Sequence, residues 1–205
     1  MIGSRCGCKL RLNRMPLCHT MHSNLTRRTF IKTLSAGALA AGLGGCSQSG
    51  DRGLHFTSLH EALAELNRLT QAASLSSLTE WSWPETLMHC TQSIEFSLSG
   101  FPQEKSALFQ QTLGAAAFNI FSLAGRMQHN LAEPIPGAPA LDAGLTAGAA
   151  EHQLRQAIPR FETHQGPLQP HFAYGRLNKA DYERAHAMHL ADHFSAFVTN
   201  IDPNS

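Results

Sequence analysis

Apolar residues recur along most of this 205-residue chain at three- and four-residue steps, and nowhere of any length do they alternate. That periodicity allows helices and disfavours a sheet, so the expected fold class is all-α, a four-helix bundle with a short extra helix and proline-rich loops. Leu59, Leu63, Leu66 and Leu69 mark the first amphipathic helix. Ser82 with Glu85 three residues on is a capping box, and Pro84 falls in the first turn. A second helix should therefore run from about Trp83 to Leu98 and stop at Gly100. A third is expected over Ser106 to Met127, a fourth, weaker one over Leu145 to Phe161, and a last one from a cap at Asn178 to about Asn200. The loops around Pro134 and from His164 to Gly175 are proline-stiffened, a common property of loops that line a site.

The last helix carries His186, His189 and His193. At about 3.6 residues per turn, His189 and His193 share a face, and two imidazoles at that spacing can hold one divalent metal. A third ligand must come from elsewhere. His89 is the first choice, on the side of the second helix opposite the stripe Leu87, Cys90, Ile94 and Leu98. His129 and His171, on the two loops, are runners-up, and His186 is a candidate for a supporting place beside the metal. Three neutral imidazoles would leave coordination positions for water or substrate. The plainer alternative treats each histidine as a core or surface residue bonded to backbone. No His-Glu-x-x-His, no nucleophile elbow and no phosphate-binding glycine loop is present. Cys90 should pack in the core.

The first 45 residues hold seven Lys or Arg and no acid, which leaves nine basic and fifteen acidic residues for the remainder. An acidic body repels phosphate backbones, so nucleic acid is not an expected partner. Cys6, Cys8, Cys18 and Cys46 precede the body and Cys90 stands alone in it, so no internal disulfide framework can be built.

The run Thr26-Arg27-Arg28-Thr29-Phe30-Ile31-Lys32, followed by a small apolar stretch, resembles a twin-arginine export signal. Leu43-Gly44-Gly45-Cys46 resembles a lipobox, with Cys46 as the lipidated residue. The expected organisation is a signal region over 1–45, with Met21 or Met15 as alternative starts, a lipidated tether over 46–58 and a helical body over 59–200. That places the body at the periplasmic face of the cell envelope, touching the membrane only through the lipid.

Trp81-Ser82 followed by His89, with His189-x-x-x-His193 on the last helix, resembles the DinB-like superfamily of metal-binding four-helix bundles. Gly100-Phe-Pro, the stretch Arg126 to Pro139 and Tyr174-Gly-Arg-Leu are similar to a family of exported bacterial proteins known only as a domain of unknown function. The resemblance implies His89, His189 and His193 as ligands to Ni, Zn, Mn or Fe. It further implies a metal-dependent transferase or hydrolase acting on a small molecule or thiol. A homodimer is a separate expectation for the assembly. Cys90 departs from it, since relatives commonly have leucine there. The competing expectation is a non-catalytic bundle whose histidines serve stability, metal storage or partner binding.

Overall fold

The computed structural model describes residues 51–199; the expected export signal, the expected lipobox with Cys46 and the alternative starts lie outside the described residues. Among these residues the protein is mostly helical, with α1 Leu59–Thr70, α2 Trp83–Ser99, α3 Ala107–Phe109, a π-helical turn Gln110–Gly114, α4 Ala115–Ala124, α5 Ala147–Thr163 and α6 Lys179–Ser195.

The four long helices α1, α2, α5 and α6 begin where a side chain satisfies free amides. Ser58 accepts from Glu61 N, Thr146 from Ala149 N and Asn178 from Asp181 N. At α2 the Glu85 carboxylate returns 2.8 Å to the Ser82 amide, completing the capping box. Gly100 at φ 106° and Gly125 at φ 66° end α2 and α4, since positive φ is cheap only without a Cβ.

Leu59, Leu66, Leu87, Ile94, Leu154, Ile158, Phe161, Leu190 and Phe194 are at most 1 % exposed and form one core from α1, α2, α5 and α6. The α2 helix packs along α5 and against α6, and α1 lies on α6. Cys90 is fully buried in that core, as its stripe requires. A smaller cluster of Phe118, Met127, Ala185 and Met188 seats α4 and the loop after it on α6. The α6 helix is therefore covered on nearly all sides: Met188 and Ser195, on the side away from Leu190 and His193, are 1 % and 2 % exposed. Lys179 fixes its start, donating to the carbonyls of Glu162 and His164 at 2.6 and 2.7 Å.

Two details differ from the purely helical expectation. The last helix ends at Ser195, and β2 Phe197–Thr199 pairs antiparallel with β1 Leu75–Ser77, Ser76 facing Val198. Three-residue strands carry no periodic signal, and this pairing joins segments more than a hundred residues apart. The third helix is interrupted by the π-helical turn and ends at Ala124 rather than Met127, because Gly125 turns the chain toward α6.

Candidate metal centre

The α2 helix turns Leu87, Cys90 and Ile94 into the core, which leaves His89 on the side facing α6, 3 % exposed. There its Nε2 lies 3.1 Å from His189 Nε2. One turn along α6, His193 Nε2 is 3.1 Å from the same His189 nitrogen. The fourth member, His129, comes from the loop after α4, with Nε2 3.2 Å from His193 Nε2. Potential ligand atoms of His89, His129, His189 and His193 all lie within 4.8 Å of one another, so four histidines could hold a metal ion.

Asp192 holds His129 in place. Its Oδ2 accepts from the His129 amide at 3.2 Å and meets the ring Nδ1 at 2.8 Å. The ring proton of His129 belongs on Nδ1, and Nε2 presents a lone pair. Four Nε2 atoms then make three short contacts with at most two protons between them, because His129 supplies none and His193 cannot serve both neighbours. A cation taking the lone pairs removes that conflict. Nitrogens placed tetrahedrally at about 2.0–2.1 Å from one ion lie roughly 3.3–3.4 Å apart, close to the 3.1–3.2 Å of the three contacts that run along the group, all of whose ligand atoms lie within 4.8 Å of one another.

Burial keeps the rings of His89, His189 and His193 neutral, the form in which imidazole binds metals. His89 is pushed down to about 3, by desolvation first and by the nearby His129 second. His189 and His193 are lowered well below their ordinary value by desolvation and then by the neighbouring imidazoles. Trp81 closes one side of the group, 4.9 Å from the His89 ring and stacked on His193 at 6.1 Å.

A cavity of about 190 Å³ opens beside His89, His129 and His189. The remaining two sequence candidates line it without joining the ligand group. His186 sits one turn before His189 on α6 and contacts Ser97 on α2, with Nε2 3.3 Å from the hydroxyl. His171 uses Nδ1 to accept from the amides of Ala173 and Tyr174, at 3.1 and 3.2 Å, and its ring is stacked on Tyr174 at 4.2 Å. Of the three runners-up, the fold therefore brings His129 into the cluster and leaves His171 and His186 on the cavity wall. Asp192 escaped the sequence reading, although its place next to His193 and three residues after His189 was a usable signal. Ser93 and Ser97, on the His89 side of α2, escaped it too.

A family model described as a protein of unknown function (DUF1569) matches residues 48–200. No curated protein and no solved structure matches the chain.

Proposed function

The chain belongs to that family of unknown function, DUF1569, and from this footing we propose that it is a DinB-like metalloprotein of the cell envelope, a metal-dependent transferase or hydrolase acting on a small molecule. The observation that carries the reading is the convergence of four imidazole Nε2 atoms with too few protons for their contacts. His89, His189 and His193, all on helices, hold a divalent ion, Ni, Zn, Mn or Fe. His129 supplies a fourth nitrogen from a loop, and Asp192 orients it. When bound, such an ion supplies Lewis acidity at the cavity wall and lowers the pKa of a coordinated water. The helices α1, α2, α5 and α6 serve as the four-helix bundle that fixes the three inner rings, while Trp81 and the burial of the group keep bulk water from its far side.

A second reading has its own support. Four imidazoles saturate a tetrahedral ion, which suits structure or storage better than turnover. The two differ at His129: catalysis needs it displaced by substrate or water, storage needs it to stay. Metal analysis of the purified full chain, beside His189→Ala and His129→Ala, tests the proposal. One divalent ion per chain, lost in His189→Ala and retained in His129→Ala with faster ligand exchange, supports the open-site enzyme. An ion whose coordination never exchanges supports storage, and no ion in the wild type defeats both.

The export route and the lipid on Cys46 are part of the same proposal, supported by the sequence patterns over residues 26–46. Mass spectrometry of the mature N-terminus that found an unmodified residue ahead of Cys46 would rule the anchor out.

A further inference from the structure

His171 and His186 stand apart from the four-histidine group, yet both line the same cavity, and both rings pack on Tyr182, with centroids 6.2 and 5.4 Å from it. Their tautomers follow from their partners. Two backbone amides donate to His171 Nδ1, so that nitrogen carries the lone pair and Nε2 carries the proton. Ser97 gives its single hydroxyl proton to the Ile94 carbonyl at 2.6 Å, so its contact with His186 requires donation from His186 Nε2–H. His186 Nδ1 is then a lone pair. His171 Nε2–H and His186 Nδ1 have no partner among the described residues. Among the described residues, the enclosed side-chain atoms without a partner are Arg52 Nε, His89 Nδ1, Ser122 Oγ and His164 Nε2, and neither of these two nitrogens is one of them. One donor and one acceptor, on two residues that line the cavity and are 8 % and 2 % exposed, are therefore left for a ligand. Both rings are held neutral, each pushed down to about 3, chiefly by burial.

The rest of the wall decides the ligand's charge and size. Among the described residues no Lys or Arg lines the cavity, and the one carboxylate there, Glu133, repels anions. Met127, Pro134, Ile135 and Phe172 supply apolar surface. A dry cavity of about 150 Å³ holds a benzene ring, so about 190 Å³ takes one ring with a small polar substituent.

We infer that this cavity binds a small uncharged molecule through a carboxamide, whose carbonyl accepts from His171 Nε2–H and whose N–H donates to His186 Nδ1, with its apolar body against Met127 and Ile135. The assignment rests on taking this cavity as the substrate pocket of the proposed metalloprotein, although holding the amide needs no ion.

Long-range proton–nitrogen NMR of the histidine side chains in the purified full chain, titrated with benzamide, benzoate, benzylamine and toluene, tests it. Both rings are expected in the Nε2–H form from pH 6 to 8, and benzamide should shift them saturably. His171→Phe keeps the stacked ring, and His186→Gln keeps a donor to Ser97. Each should weaken benzamide by about three- to tenfold, the effect of one hydrogen bond, and leave toluene unchanged. An Nδ1–H form of His171, a preference for benzoate or benzylamine, or equal binding of benzamide and toluene would overturn the inference. The wild-type tautomer stands as evidence even if a variant does not fold. Benzamide binding by a chain that holds no metal would sink the metal reading alone, and a metal-loaded chain indifferent to benzamide would sink this one alone.

Discussion

At the scale of single residues, four buried histidines and the half-buried His189 divide by what their ring nitrogens meet. His89, His189 and His193 turn Nε2 toward one another, whereas His171 and His186 each commit one nitrogen to a backbone or hydroxyl partner. Asp192 matters through His129: it fixes which ring nitrogen carries the proton and ties down the loop amide as well. Asp192→Asn keeps the shape and loses the charge. It should weaken metal affinity by about 10- to 100-fold, the usual effect of an outer partner, while the melting temperature of the metal-free chain stays near wild type. Competition with a chelator measures the first and thermal melting the second; unchanged affinity would remove Asp192 from the account. His189 and His193 were legible in the sequence because i, i+4 spacing is a property of the helix itself. His89 was legible from the stripe opposite it. His129 could be only one of several loop candidates, since what brings it in is Gly125 in a left-handed conformation and a carboxylate 63 residues away.

At the scale of elements, the site is a polar seam between two helices. His89, Ser93 and Ser97 recur every four residues on α2, facing His186, His189 and His193 on α6. Helical periodicity placed His89 and the α6 pair His189 and His193, but not which histidine of α6 would meet which residue of α2, because register between helices depends on packing rather than local pattern. The strand pair β1 and β2 was invisible for a different reason: three residues are too few for a period of two to register. One glycine couples the elements. A Cβ on Gly114, in the π-helical turn, would overlap the carbonyl oxygen of Ala173 in the turn that carries His171. Gly114→Ala should cost about 1–3 kcal/mol by overpacking and lower the melting temperature by roughly 2–4 °C for each kcal/mol. The His171 side-chain resonances should move as well, and a variant that melts like wild type with those resonances in place would show that the turn accommodates the methyl.

At the scale of the whole molecule, the buried imidazoles make folding depend on pH. His89, His171 and His186 are lowered to about 3, and His189 and His193 well below their ordinary value, all chiefly by desolvation. The unfolded chain binds protons at these sites near pH 6.5 and the folded chain does not, so stability falls as pH drops from there toward the folded values. Each such histidine contributes up to about 1.4 kcal/mol per pH unit in that window, and five together exhaust a stability of about 5–15 kcal/mol within one to three units. The metal-free chain should therefore unfold cooperatively between about pH 6 and 4, followed by circular dichroism, and a bound divalent ion should move the midpoint to lower pH by mass action. A metal-free chain still folded at pH 3.5 would contradict the burial of these rings. The central claim, that rings from α2, α6 and the loop after α4 share one ion, is tested most directly by X-ray absorption at the metal edge of the purified full chain. Three or four imidazole nitrogens at about 2.0–2.1 Å from a single ion are the predicted result. A shell of oxygen or sulfur ligands, or a chain that takes up no metal, would contradict it.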